Sequence, residues 1–163
     1  MHYFAYGSNM SVQRLRSRVP SARMIASAML DGYRLAFHKI GRDGSAKCDA
    51  ARSAHQGTVV HGVVFELDPV HKCLLDEKEG LGAGYELTWV DVTLPDGRVL
   101  EAFMYFATHI DGRLRPYAWY REHVLRGARE HALPKAYIDV IAACDVVDDP
   151  DSERHRRELE IYL

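Results

Sequence analysis

The chain has 163 residues, 47% hydrophobic and 27% charged, with a net charge of −2. That size supports one domain with a real core, and the ordinary composition marks a globular protein. Basic and acidic residues are interspersed and form no basic face, which argues against nucleic acid as the main partner.

The first element is Tyr3-Phe4-Ala5-Tyr6, a short apolar strand that breaks at Gly7-Ser8-Asn9. A helix from Ser11 to about Arg18 follows and is stopped by Pro20. A strand-to-helix junction exposes backbone N–H groups that suit a carboxylate, a phosphate or a developing oxyanion. Glycine there permits close backbone approach or positive φ. The same residues also read as a plain first strand with an Asn or Ser cap.

Residues 23–30 and 33–38 read as strands around Asp31-Gly32, a hairpin-type turn. Residues 41–57 are polar and glycine-rich, a long loop with a short strand inside it. Thr58 to Leu67 alternates with two apolar faces, as a central strand of a closed sheet does. Asp68 and Pro69 are the N-cap and first position of a helix to about Lys78, broken by Gly80, Gly82 and Gly84. Tyr85–Leu94 and Val99–Ala107 are strands joined by the turn Pro95-Asp96-Gly97. Beyond Pro116 the apolar residues Tyr117, Tyr120, Val124 and Ala128 recur at helical spacing, and Pro134 opens another helix with Tyr137, Ile138 and Ile141 inward. Arg154-His155-Arg156-Arg157 reads as a solvated face of a C-terminal helix. The expected architecture is a single α+β domain over 1–163, with about six strands curled into a barrel and helices outside.

Cys48, Cys73 and Cys144 have neither metal-like nor disulfide-like spacing, and suit a reducing cytoplasm. No signal-peptide pattern and no membrane-spanning run are expected. None of the nine histidines has a spacing that suggests a metal set. Gly80-Leu81-Gly82-Ala83-Gly84 follows a helix and precedes a strand, the reverse of a dinucleotide fingerprint. Ser8 lacks the elbow of a serine hydrolase.

The helix from Asp68 ends in Asp76-Glu77-Lys78-Glu79. Three carboxylates crowd a helix C-terminus, where the macrodipole disfavours negative charge. Asp76 and Glu77 read as solvated. Glu79, directly before the glycine turn, can aim back into the domain, where a partly desolvated carboxylate in such a field suits general acid/base work.

Tyr6-Gly7-Ser8-Asn9 followed by Leu75-Asp76-Glu77-Lys78-Glu79-Gly80 resembles the paired hallmarks of the γ-glutamylcyclotransferases. The resemblance extends through His61-Gly62-Val63-Val64-Phe65, Gly84-Tyr85, Tyr120, Gly127-Ala128 and Leu133-Pro134, covering roughly residues 3–144. It implies a small mixed barrel, a homodimer, and an enzyme needing neither metal nor cofactor. The implied substrate is a small γ-glutamyl compound, whose α-amine closes on its own γ-carbonyl to give 5-oxoproline and a free amine.

By that resemblance Glu79 is the general acid/base. Tyr3, Phe4, Ala5, Tyr6, Gly7, Ser8 and Asn9 hold the γ-glutamyl part and Tyr120 completes the pocket; Tyr105 reads either as a second wall or as an ordinary strand tyrosine. The amides of the 6–8 turn serve either the α-carboxylate or the oxyanion. The C-terminal helices place the chain nearer the branch acting on γ-glutamyl-amino acids. The glycine segment is one residue shorter than in the animal enzymes and the 43–48 loop differs, which leaves open γ-glutamylamines, glutathione, another γ-glutamyl conjugate, or ligand capture without turnover.

Overall fold

The computed structural model describes residues 1–163 and contains seven strands and five helices. Five strands close a barrel: β1 (His2–Ala5), β5 (Val59–Glu66), β2 (Arg23–Asp31), β6 (Tyr85–Thr93) and β7 (Val99–Ala107), in that spatial order. All neighbours are antiparallel except β7 and β1, which meet in parallel at Tyr3 and Phe103. Closure removes the sheet edges that an open sheet must protect. The core is filled by fully buried Phe4, Phe65, Phe103 and Met104. β5 lies between β1 and β2; Gly62 meets Phe4 inside the barrel while His61 and Phe65 pack on Tyr137 and His131 outside it, which explains its two apolar faces.

The remaining strands, β3 (Tyr33–Ile40) and β4 (Ala46–Arg52), form a separate two-stranded sheet. The expected hairpin between 23–30 and 33–38 does not form. β2 spends its hydrogen bonds on β5 and β6, while Gly32 turns the chain out of the barrel with its N–H on the Thr58 carbonyl. β3 then pairs with the strand embedded in the glycine-rich loop.

The helices lie outside the sheet. α1 (Val12–Arg18) is capped by Ser11, whose hydroxyl accepts from the Arg14 N–H. α2 (Lys72–Glu79) follows a single 3-10 turn opened by Asp68 and Pro69. α3 (Ala118–Glu130) and α4 (Lys135–Ala142) pack on one another, and α5 (Ser152–Glu160) closes the chain. Arg156 and Arg157 of α5 are exposed, as expected of a solvated face. Arg154 is not part of that face. Its guanidinium clamps the fully buried Asp149 carboxylate, which also accepts from Trp119 Nε1 at 2.7 Å.

Candidate active site

β1 ends at Ala5, and the chain turns through Tyr6 and Gly7 into one 3-10 turn, Ser8–Met10. Gly7 has φ −116°, so positive φ is not what it supplies. Close approach is: a Cβ on Gly7 would lie 3.0 Å from Cys48 Cβ and 3.6 Å from the Tyr120 hydroxyl. No backbone acceptor takes the Gly7 N–H. Ser8 and Asn9 open the turn, where N–H groups have no partner within the helix.

The second component arrives on α2. Gly80 adopts the left-handed conformation (φ 72°, ψ 50°), with its N–H on Asp76 and Glu77 and the Leu81 N–H on Asp76. This C-cap stops the helix one residue after Glu79 and fixes that side chain toward β1. Asn9 Nδ2 donates to Glu79 Oε1 at 2.8 Å, and Arg18 Nη1 donates to the same oxygen at 3.1 Å. Arg18 also donates to Asn9 Oδ1 at 3.0 Å, closing a three-membered network. No protein group donates to Glu79 Oε2, so one carboxylate oxygen is held and the other is free. Arg18 thus stands beside Glu79 as a cationic partner that the helix end alone does not reveal.

These groups surround an open cleft of about 300 Å³. Tyr3, Tyr6, Gly7, Ser8 and Asn9 come from the first segment, and Glu79 from α2. β4 supplies Cys48, while β6, β7 and α3 supply Tyr85, Tyr105 and Tyr120. Phe4 and Ala5 do not line the cleft: both are wholly buried, with the Phe4 ring against Gly62 in the barrel. The other expected positions all converge there. The fold adds Cys48 and Tyr85 to the lining, and Arg18 beside Glu79 in the adjoining vestibule. Cys48 carries no local signal and Arg18 reads only as a helix end, whereas Tyr85 stands in the Gly84-Tyr85 pair of the resemblance without a role assigned to it.

Three of the five hydroxyl groups are fixed by backbone and two by side chains. Tyr6 donates to the Tyr105 carbonyl and Tyr85 to the Cys48 carbonyl, each at 2.5 Å, and the Tyr120 hydroxyl accepts from the Cys48 N–H at 3.0 Å. Tyr3 accepts from Asn9 Nδ2 at 3.1 Å. Tyr105 donates to Asp76, which Lys72 also holds, so Asp76 is engaged rather than solvated. Burial pushes all five phenols well above the ordinary tyrosine value, and the nearby Glu79 charge adds to this at Tyr3, Tyr85, Tyr105 and Tyr120. They are therefore neutral hydrogen-bonding groups. Burial likewise raises the Cys48 thiol, so it is no thiolate nucleophile. No lysine or arginine lines this inner cleft, and no cluster of three His, Cys, Asp or Glu is placed to hold a metal ion.

A wider vestibule of about 720 Å³ opens directly outside, sharing Ser8, Glu79, Tyr85 and Tyr120 with the cleft. The cleft accepts a small polar group with backbone N–H and phenol contacts, and offers one carboxylate oxygen free to exchange a proton.

Comparison with known proteins supports the same architecture. A human γ-glutamylcyclotransferase is 29% identical over 156 residues, spanning 90% of this chain and 79% of its own. A mouse γ-glutamylcyclotransferase is 29% identical over 147 residues, spanning 88% and 78%. A solved γ-glutamyl cyclotransferase structure superposes with a TM-score of 0.88 at 27% identity, over 98% of each chain. The fold is the γ-glutamylcyclotransferase-like α+β barrel. The profile described as the AIG2-like family matches residues 59–141, which include β5, the helix presenting Glu79, the β6–β7 hairpin and α3. Having half its length within that match, and with it the Glu79 side of the cleft, the chain belongs to the AIG2-like family.

Proposed function

We propose that this protein is a γ-glutamylcyclotransferase, converting a γ-glutamyl-amino acid to 5-oxoproline and a free amino acid. One observation carries the reading. Glu79 is held through Oε1 and unbound at Oε2, in the wall of a cleft that the 7–9 segment also lines. The names of the similar proteins point the same way.

The γ-glutamyl group occupies the cleft with its α-ammonium toward Glu79 and its γ-carbonyl toward the 7–9 backbone. Attack by the α-nitrogen forms the new C–N bond of the five-membered lactam. The old amide C–N bond breaks as the tetrahedral intermediate collapses. The attacking nitrogen begins as NH3+ and ends as the lactam N–H. The departing nitrogen begins as an amide N–H and ends as NH3+. Two protons therefore pass from one nitrogen to the other with no net uptake, and Glu79, cycling between anion and acid at Oε2, carries them. The nucleophile is tethered to its target, so the protein chiefly selects the ring-closing conformer. N–H groups of the turn serve the α-carboxylate or the oxyanion, and the neutral phenols wall off solvent.

Incubation with γ-glutamyl-alanine should release 5-oxoproline. Glu79→Gln keeps the size and one hydrogen-bonding oxygen but cannot carry a proton, and should lower kcat by about 10²–10⁴-fold with the fold intact by circular dichroism. A panel of γ-glutamyl compounds yielding no 5-oxoproline, or a fully active Glu79→Gln, would refute the assignment.

A further inference from the structure

The vestibule outside the cleft is strongly basic. Arg14, Arg18, Lys39, Arg42, Lys47 and Lys78 line it, against the carboxylates of Asp43, Glu79 and Glu158. Each carboxylate already has a cation: Lys47 on Asp43 at 2.7 Å, Arg18 on Glu79 at 3.1 Å, and Arg14 on Glu158 at 2.6 Å. Lys39, Arg42 and Lys78 are left over, a surplus of three positive charges at one opening.

Lys39 is the informative member. It is only 5% exposed, yet its ammonium makes no hydrogen bond and no ion pair. Its sole favourable contact of a directed kind is with the Tyr85 ring, 4.7 Å from Nζ to the centroid. Its stem is buried while Nζ reaches the vestibule, so its three donors are free there for an arriving anion. Burial accordingly lowers its pKa, an effect that the Glu79 charge opposes. Arg42, from the β3–β4 turn, leans over the C-cap of α2, with Nη2 3.2 Å from where a Cβ on Gly80 would stand. The two unpaired cations thus converge on the side of the vestibule that adjoins Glu79 and Tyr85.

We propose that this vestibule is the leaving-group subsite, and that it selects γ-glutamyl conjugates whose departing amine carries two carboxylates, with Lys39 and Arg42 binding the second one. This inference rests on the cyclotransferase reading for the position of the γ-glutamyl group. The inner cleft has no cationic side chain, so the γ-glutamyl end and the anionic end are sorted by charge. A leaving group with a single carboxylate leaves part of the surplus unmatched.

The test compares kcat/KM for γ-glutamyl-glutamate with that for its neutral isostere γ-glutamyl-glutamine, at low ionic strength. The acidic substrate should be favoured by about tenfold or more, the range expected of charge-assisted hydrogen bonds. Added salt should shrink the preference. Lys39→Met keeps the aliphatic stem and should bring the ratio close to one, chiefly through KM for the acidic substrate. Arg42→Gln, at an exposed position, should lower the ratio partway. Equal kcat/KM for the two substrates, or a ratio unchanged in both variants, would overturn the subsite. Calorimetric titration with free glutamate and free glutamine reads the subsite without turnover. Tighter glutamate binding that Lys39→Met abolishes supports it even if no 5-oxoproline forms, an outcome that would sink the cyclotransferase reading alone.

Discussion

Glu79 has two oxygens in different circumstances, and most of the site's chemistry follows from that difference. Asn9 is the smallest lever on it, because one amide nitrogen spans Tyr3 and Glu79 Oε1. Asn9→Ala should lower kcat about ten- to a hundredfold with a smaller change in KM, as expected when a hydrogen bond to a charged group is lost and the acid/base loses its aim. Steady-state kinetics on γ-glutamyl-alanine would separate this from a binding defect, which would raise KM instead. Ser8→Ala should cost far less than Glu79→Gln, since the role proposed for Ser8 belongs to its backbone N–H. The reverse order would return the serine to the centre of the mechanism. Much of this was legible in sequence. Tyr6 to Asn9 and Glu79 stand out as a junction and a helix end, and their resemblance to a known pair of motifs links them. Arg18 and Cys48 were not legible, because each enters the site through its distance from other elements and no neighbouring residue marks it.

At the scale of elements, α3 brings the 3-10 turn and α5 together. Gly127 lies against that turn so closely that a Cβ there would come within 2.5 Å of Met10 Cβ and 2.6 Å of the Ser11 nitrogen. Gly127→Ala should therefore destabilise the protein by about 1–3 kcal/mol, the usual range for overpacking. It should also lower activity, since the turn that must move carries Ser8 and Asn9. Thermal melts and 5-oxoproline assays on the same variant check both. α5 is anchored differently. Glu158 Oε2 accepts from Arg14 at 2.6 Å and lies 3.1 Å from His123 Nε2, while His123 Nδ1 meets the Tyr162 hydroxyl at 2.7 Å. Burial, and to a lesser degree the Arg14 charge, lowers His123 from 6.5 to about 4. Burial opposes ionisation of Glu158, but His123 and Arg14 outweigh it and hold the carboxyl at about 2, against 4.5 when free. Both folded values lie below the unfolded ones, so the unfolded chain binds more protons and stability falls with falling pH. The histidine contribution is lost between pH 6.5 and 4, the glutamate contribution between 4.5 and 2. Melting temperature should decline across the first interval, and His123→Gln should flatten that decline. An unchanged slope in the variant would place the acid sensitivity elsewhere.

For the molecule as a whole, the sequence patterns identified nearly every strand and helix but misassigned one partnership. β5 is apolar on both faces because one meets the barrel interior and the other the outer helices, and the β6–β7 hairpin forms around its Pro-Asp-Gly turn as its residues dictate. Asp31-Gly32 carries an equally good turn signal, yet β2 and β3 separate there. A turn motif reports a local change of direction, whereas pairing depends on which strand offers a complementary edge, and β5 offers β2 the longer one. The consequence is that β3 and β4 stand apart from the closed sheet while reaching the site from outside it. Their connecting turn, residues 41–45, carries Arg42 and Asp43 over the vestibule but takes no part in barrel closure. That turn is also tied to the site's supports: Arg42 rests on the C-cap of α2, and the Asp43 carbonyl accepts from the Tyr117 hydroxyl. Because the turn lies outside the closed sheet, a side chain there can change the vestibule without rewriting a barrel strand, so the proposed leaving-group preference has room to drift while β3 keeps Lys39 in place.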